Sequence, residues 1–260
     1  MTIHPTAVVA PGAQLGKNVK VGAFVFIDDR VVIGSGCVIN SHVAILRNTT
    51  LGDNCQVHSG AVLGDVPQDL KFTNEETYVK IGSGCTIREG VTIHRGTNLG
   101  TTTEVGDNCL LMANSHLGHN VKVGNNVIIA NGALLAGYVE IGDRTFISGN
   151  CLLHQFTRVG RLVMISGGAA IAKDIPPFCM THPTSFNQII GLNTVGLRRA
   201  GLTSEQRLIL KRVLKIFYRS NLHIPAAVAK LETEFPNEEL VQEFCHFVKA
   251  SERGICKFVK

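Results

Sequence analysis

Three histidines in the second half of the chain lie in polar strings that could do acid–base chemistry. His116 and His119 belong to NSHLGHN, and His154 with Gln155 belongs to LLHQF. His119, Gly137 and Gln155 recur at one constant interval along the chain. An imidazole titrates near neutral pH and is a suitable general base, and a glycine leaves its backbone N–H open to an oxyanion. If the chain repeats at that interval, these groups form one column and predict a catalytic site.

A polar segment earlier in the chain supplies a second set of candidate residues. The string PQDLKF contains Gln68, Asp69 and Lys71. An aspartate and a lysine two positions apart can bind hydroxyl and phosphate groups together. A further polar stretch, HRGTNLGTTTE from His94, predicts a second bulge, in which Leu99 keeps the repeat frame by accident.

The elements that position these residues follow a six-residue repeat, or hexad, which is the first feature to establish in any chain. In steps of six from Ile3, 27 of 29 positions are Ile, Leu or Val. The two exceptions, Asp69 and Glu75, lie in residues 65–80, which we therefore interpret as an excursion loop. Three short strands of such a repeat make one triangular coil of three hexads, the interval that separates His119 from Gly137. The chain from residue 3 to 176 thus predicts a parallel β-helix of about ten coils.

Composition agrees with a core built from small side chains. The 260 residues are 45% hydrophobic and 17% charged, which excludes a disordered chain, and 27 are glycine while only 6% are aromatic. Five of the eight cysteines share the fifth position of the repeat, where Ala, Val or Thr otherwise stands. We interpret these five as small core residues and predict neither disulfides nor a metal site: Cys37, Cys55, Cys85, Cys109 and Cys151.

Net charge and hydropathy restrict the possible binding partners and the predicted location of the protein. The net charge of +5 is too small to indicate nucleic-acid binding by itself. The amino terminus resembles no secretory signal, and no run of about 18 apolar residues predicts a transmembrane segment. The sequence therefore predicts a cytoplasmic protein.

The pattern changes after Pro177 to that of a small helical domain. Thr203 and Gln206 form a capping box, and Asn237 is expected to open a further amphipathic helix. We therefore predict a β-helix over residues 1–190 and an α-helical domain over 191–260. Basic residues gather here, either as a solvated surface or as a dock for an acidic carrier protein or a diphosphate: Arg198, Arg199, Arg207, Lys211, Arg212, Lys215 and Arg219.

Several strings together closely resemble the UDP-N-acetylglucosamine O-acyltransferase family of lipid A biosynthesis, essentially end to end. These strings are GDVPQDLKF, VTIHRGT, LLMANSHLGHN, LLHQF, AKDIPPF and GLNTVGLRRAG. The resemblance implies a left-handed helix, although the general crossover rule alone would give a right-handed one. It also implies a homotrimer with active sites between subunits. The implied reaction moves a 3-hydroxyacyl chain from acyl carrier protein to the 3-hydroxyl of UDP-N-acetylglucosamine, without a metal or cofactor.

The same resemblance implies a role for each candidate residue. His119 would be the general base, and the N–H of Gly137 would support the oxyanion. Gly167 matches the position that limits acyl-chain length. The sugar would be bound by Gln68, Asp69 and Lys71. The groove would be lined by His116, Tyr138, His154 and Gln155. The uridine and diphosphate would be held by Asn193 and Arg199.

Three positions depart from the family pattern. Asn120 stands where many members carry an aspartate after the catalytic histidine, and it can still orient the ring. Tyr138 replaces a histidine, and Val195 replaces an acidic residue near the uridine. The last two leave open an N-acyltransferase acting on a 3-amino UDP-sugar. A zinc-dependent hexapeptide carbonic anhydrase and a non-catalytic scaffold are the alternatives from other classes.

Overall fold

Three sheets of short parallel strands wind into a left-handed triangular prism in the computed structural model, which describes residues 1–184 and 186–259. We name the sheets A, B and C in the order in which the chain visits them. Sheet A contains Thr2–Ile3, Lys20–Val21, Val38–Ile39, Gln56–Val57, Thr86–Ile87, Leu110–Leu111, Ile128–Ile129, Phe146–Ile147, Met164–Ile165, Cys179–Thr181, Gln188–Leu192 and Lys257–Phe258.

The other two sheets are parallel throughout. Sheet B contains Val8–Val9, Phe26–Ile27, Ala44–Ile45, Val62–Asp65, Thr92–His94, His116–Leu117, Leu134–Leu135, Leu152–Leu153 and Ala170–Ile171. Sheet C contains Gln14–Leu15, Val32–Ile33, Thr49–Leu51, Tyr78–Ile81, Thr102–Val105, Lys122–Val123, Glu140–Ile141 and Arg158–Val159.

Strand register confirms the coil of three hexads and both interruptions. Thr2 pairs with Lys20, three hexads further along the chain, whereas Gln56 pairs with Thr86, five hexads further along. The first loop therefore adds two hexads, between strands Val62–Asp65 and Tyr78–Ile81. A second loop follows strand Thr92–His94 and adds one hexad, which confirms the predicted bulge. Leu99 of this loop agrees with the repeat frame, but its side chain lies outside the core and is 73% exposed.

The repeat positions fill the interior of the prism. The aliphatic residue of nearly every hexad is buried, and the five repeat-position cysteines are buried and free, as predicted. The Sγ of Cys37 donates to the backbone oxygen of Gly52 at 3.1 Å, so the thiol fills a small space and satisfies a carbonyl. Burial of these apolar surfaces is the main force that holds the coils together.

Four helices follow the prism: α1 (Thr194–Arg199), α2 (Ser204–Arg219), α3 (Ile224–Glu234) and α4 (Glu239–Lys249). The capping box of α2 is confirmed, since the Thr203 hydroxyl accepts from the Gln206 N–H at 3.1 Å and the Gln206 side chain accepts from the Thr203 N–H at 2.9 Å. The prediction that Asn237 opens α4 is wrong. Glu238 is the N-cap, because Asn237 lies with Pro236 in a turn that precedes the helix.

The end of the chain returns to the prism and covers its last coil. Strand Gln188–Leu192 pairs antiparallel with Cys179–Thr181 and parallel with Lys257–Phe258. The predicted domain boundary between residues 190 and 191 lies within this strand and stays a prediction. Among the helices of the described ranges, none has the length and apolar character needed to cross a membrane.

Candidate functional site

The candidate catalytic residues stack at the edge of the prism between sheets B and C. His119, Gly137 and Gln155 occupy the same corner position on successive coils. The N–H of Tyr138 donates to the His119 oxygen at 3.0 Å, and that of Phe156 donates to the Gly137 oxygen at 3.1 Å. The column that the three-hexad spacing predicts is therefore present.

Asn120 determines which nitrogen of His119 is available as a base. Its side-chain Oδ1 accepts the backbone N–H of Thr97 at 3.0 Å, and this contact fixes the orientation of the amide because a backbone N–H can only donate. The same oxygen lies 3.1 Å from Nδ1 of His119. Nδ1 therefore carries the proton, and Nε2 presents a lone pair.

The imidazole lies directly against Gly137. A Cβ at position 137 would come within 2.4 Å of Cε1 and 2.5 Å of Nε2 of His119, so only glycine leaves room for the ring. No acceptor for the Gly137 N–H is found within the described residues. The corner thus places a basic nitrogen beside an open N–H donor.

Both loops close on this corner and meet at Thr97. The Thr97 hydroxyl donates to Oδ2 of Asp69 at 3.2 Å, and Oδ1 of Asp69 accepts the Lys71 N–H at 3.0 Å. The Lys71 bond is the main cause that lowers the pKa of Asp69, so the carboxylate is ionised at neutral pH. Lys71 and Gln68 project their side chains into solvent.

Tyr138 belongs to an aromatic stack beside the base. Its ring is parallel to Phe156, with centroids 4.9 Å apart, and meets His119 edge-on at 5.2 Å. The Asn98 side-chain amide donates to its hydroxyl at 2.9 Å. The Tyr138 ring therefore packs on His119, and its hydroxyl anchors the second loop.

A pair of histidines, His94 and His116, lies on sheet B close to His119. His116 meets His94 edge-on at 4.7 Å, and its Nδ1 is 2.7 Å from the Thr92 hydroxyl. Burial and the nearby charge of His94 lower the pKa of His116 to about 4. His116 is therefore neutral at pH 7 and offers hydrogen bonds instead of charge. His154 is exposed near the top of the column, and its Nδ1 donates to the Gln155 oxygen at 3.2 Å.

The predicted nucleotide residues lie elsewhere on the chain. Arg199 of α1 is exposed and lines a cavity of about 550 Å³ on sheet A, together with Asn193 and Val195. The Asn193 amide accepts the Gly196 N–H at 3.0 Å and donates to the Leu162 oxygen at 2.9 Å, so it caps α1. Within one chain, the structure does not bring these residues to His119.

Gly167 lies at the corner between sheets A and B. It is exposed, and a Cβ there would be 3.7 Å from its nearest contact, the Gly149 oxygen. The coil of Gly167 lies three coils beyond that of His116, a separation of about 14 Å along the prism axis. A side chain at this position would therefore project into the surroundings without disturbing the subunit.

Sequence reasoning missed the residues that hold the site together. Thr97 and Asn98 belong to the second loop, which the sequence showed only as a bulge, and the Thr103 hydroxyl accepts the Asn120 N–H at 2.8 Å. The one available signal was that two polar loops interrupt the repeat just before the His119 coil. Within residues 1–184 and 186–259, no three His, Cys, Asp or Glu side chains are grouped as metal ligands.

Comparison with known proteins gives the family. Residues 30–65 and 102–137 match the six-repeat bacterial transferase hexapeptide family, and residues 174–256 match domain 2 of UDP-N-acetylglucosamine O-acyltransferase. The acyl-[acyl-carrier-protein]–UDP-N-acetylglucosamine O-acyltransferase of an Anaeromyxobacter strain is 43% identical over 99% of this chain and 100% of the relative. This chain belongs to the UDP-N-acetylglucosamine O-acyltransferase family.

Other members agree in sequence and in structure. The Chlamydia caviae acyltransferase of the same name is 42% identical over 97% of this chain and 91% of its own length. The crystal structure of the Bacteroides fragilis UDP-N-acetylglucosamine acyltransferase has a TM-score of 0.93 at 40% identity, covering 98% of this chain and 99% of the other. The Francisella novicida enzyme has a TM-score of 0.95 at 34% identity, covering 98% and 94%.

Proposed function

We propose that this protein transfers a 3-hydroxyacyl chain from acyl carrier protein to the 3-hydroxyl of UDP-N-acetylglucosamine, the first step of lipid A biosynthesis, in the cytoplasm. One observation carries the proposal: Asn120 fixes the tautomer of His119 so that Nε2 is free, beside the open N–H of Gly137. Membership of the family supports the same activity.

The corner can perform the transfer with a single proton, which His119 first accepts and then returns. The sugar 3-hydroxyl gives its proton to Nε2 of His119 as its oxygen attacks the thioester carbonyl carbon. The oxygen of the tetrahedral intermediate accepts the Gly137 N–H. The carbon–sulfur bond then breaks, and Nε2 returns the proton to the leaving thiolate. Because the thioester is an activated donor, the mechanism uses no metal or cofactor.

The loop residues would hold the acceptor in place. Asp69 is joined to the corner through Thr97, and Lys71 and Gln68 flank it in the first loop. Together they suit the hydroxyl and phosphate groups of the sugar nucleotide. Holding the 3-hydroxyl next to Nε2 would contribute as much to the rate as the proton transfer does.

The positions of the candidate residues favour a homotrimer with shared sites. His119 lies between sheets B and C, whereas Arg199 lies over sheet A, so a neighbouring subunit has to bring the second group to the first. The outer surfaces agree: Leu134 and Leu152 of sheet B are exposed apolar side chains, and Leu70 at the tip of the first loop is fully exposed. Sheet C instead presents charges that alternate from coil to coil, which suits solvent: Lys80, Glu104, Lys122, Glu140 and Arg158.

Mixed trimers test this arrangement. His119→Ala and Arg199→Ala chains, each weakly active alone at low UDP-N-acetylglucosamine, are expected to recover activity when coexpressed with different tags and copurified. Every copurified trimer contains both chains, and one of its three interfaces joins an intact His119 to an intact Arg199, so about a third of wild-type activity should return. The control coexpresses Arg199→Ala with the His119→Ala/Arg199→Ala double variant, which contains no intact Arg199. Recovery no greater than in this control would show that both residues act within one subunit.

Gly167 provides a test of acyl-chain selection. Gly167→Met is expected to shift preference towards shorter acyl donors by roughly tenfold, because excluding two methylene groups removes about 1.6 kcal/mol of burial. Gly167→Ala should give a smaller shift in the same direction. Competition between carrier proteins with long and short 3-hydroxyacyl chains measures the ratio of kcat/KM values. An unchanged ratio in both variants would place the end of the acyl groove elsewhere.

Product analysis tests the activity itself. The protein is mixed with 3-hydroxyacyl carrier protein and, separately, with UDP-N-acetylglucosamine or its 3-amino analogue, and the products are examined by mass spectrometry. We expect a 3-O-acyl product that His119→Ala fails to form. Acylation of the amino analogue alone would identify an N-acyltransferase, and no product from either acceptor would contradict both activities.

A further inference from the structure

Thr97 of the second loop connects the first loop to the corner that holds His119. Thr97 uses its hydroxyl to hold Oδ2 of Asp69 and its backbone N–H to hold Oδ1 of Asn120. Asn120 in turn holds Nδ1 of His119. Thr97 is itself only 8% exposed, so the middle of this chain of contacts is shielded from water, while Asp69 at its outer end is half-buried. These contacts can fix the position of the carboxylate relative to the ring.

The proposed acyl transfer puts a positive charge on His119 that its hydrogen-bond partner, Asn120, does not balance. When Nε2 takes the proton of the sugar hydroxyl, the imidazole of His119 becomes a cation in a site where it is only 7% exposed. A buried charge is costly unless an opposite charge or hydrogen bonds to the charged form compensate it. Asn120 offers a hydrogen bond and no charge, so any compensating charge comes from another residue.

We propose that Asp69, held in place by Thr97, is the negative charge that stabilises the protonated His119 during acyl transfer. This inference rests on the proposed function and adds an electrostatic role to the sugar-binding one. Asp69 is the carboxylate that hydrogen bonds join to the Asn120–His119 pair, and Thr97 is a positioning residue that acts through it.

The charges around the corner agree with this assignment. The pKa of Asp69 is lowered first by the Lys71 N–H bond, then by the Thr97 hydroxyl and by the nearby His119. The other titratable groups facing the base are His94 and Tyr138. Burial lowers the pKa of His94, so that ring is predominantly neutral at pH 7. Lys71 is a cation near Asp69 and partly offsets the carboxylate.

The pH dependence of kcat/KM for the sugar nucleotide, at saturating acyl carrier protein, tests the proposal. An anion near the ring favours its protonated form, so Asp69→Asn should move the acidic limb to lower pH by about one unit. Thr97→Val should move the limb in the same direction by less, and Thr97→Ser, which keeps the hydroxyl, should restore the wild-type position. Adding Asn120→Asp to Asp69→Asn should return the limb towards its original pH, because the charge is replaced.

A purely structural role for Thr97 or a purely sugar-binding role for Asp69 predicts a different result. In either case kcat/KM falls while the acidic limb stays at the wild-type pH, and this outcome would overturn the proposal. NMR titration of the labelled imidazole of His119 in the full-length protein applies the same comparison without substrates. If neither acceptor is acylated but the imidazole titrates at lower pH in Asp69→Asn, the coupling stands and the proposed function fails. If the imidazole of His119 titrates at the same pH in Asp69→Asn as in the wild type, the coupling between Asp69 and His119 is rejected, whether or not the protein is active.

Discussion

His119→Ala is expected to lower kcat by about 10²- to 10⁴-fold, with the KM values of both substrates close to those of the wild type. The variant loses the group that takes the hydroxyl proton in the proposed mechanism, in which Asn120 commits Nδ1 to a hydrogen bond and leaves Nε2 as the base. Binding should persist, since the loop residues and Arg199 are unchanged. Steady-state kinetics with acyl carrier protein as the donor measures the effect.

The matched control for this variant is His42→Asn. His42 is an exposed corner histidine near the start of the prism, with a φ of 61°, a conformation that asparagine adopts readily. Its replacement should leave kcat unchanged. If His119→Ala kept more than a tenth of the wild-type kcat, His119 would not be the general base.

Gly137→Ala should be almost as damaging, although it removes no functional group. The new methyl group would lie 2.4 Å from Cε1 and 2.5 Å from Nε2 of His119, so the ring has to move. A displacement of about 1 Å at a reacting atom costs about 10²-fold in rate. The N–H of residue 137 is retained, and the loss in kcat therefore reports the position of the imidazole.

Two comparisons make this expectation specific. Gly191→Ala places a methyl group where nothing lies within 4 Å, and it should preserve both activity and Tm. In the His119→Ala background the imidazole is absent, so Gly137→Ala should then cost little more. Fully additive losses in kcat would contradict the steric argument and point to a separate function of Gly137.

Much of the fold could be predicted because its repeat is short and regular. A buried aliphatic residue every six positions specifies a strand, a corner and the next strand, so the sequence alone indicates which residues face inward. The same regularity places His119, Gly137 and Gln155 in one column, since strands three hexads apart pair with each other in this part of the chain. The start of α4 was predicted wrongly at Asn237, because a turn and an N-cap favour the same residue types.

The details of the site depended on contacts between segments that are distant in sequence. Thr97 contacts both Asn120 and Asp69, which lie more than three hexads away on either side of it, and no periodic signal relates positions in irregular loops. The stacking of Tyr138 on Phe156 follows from the column, but the bond from Asn98 does not.

The sequence by itself determined the prism, the column of candidate catalytic residues and the two loops, because each follows from a repeat or from its interruption. Only the tertiary structure decided which nitrogen of His119 is free, why residue 137 has to be glycine, and how Asp69 is connected to the base. It also showed that Arg199 and His119 lie on different edges of one chain. These features are set by distances and hydrogen-bond directions between separate segments, which the order of the residues does not specify.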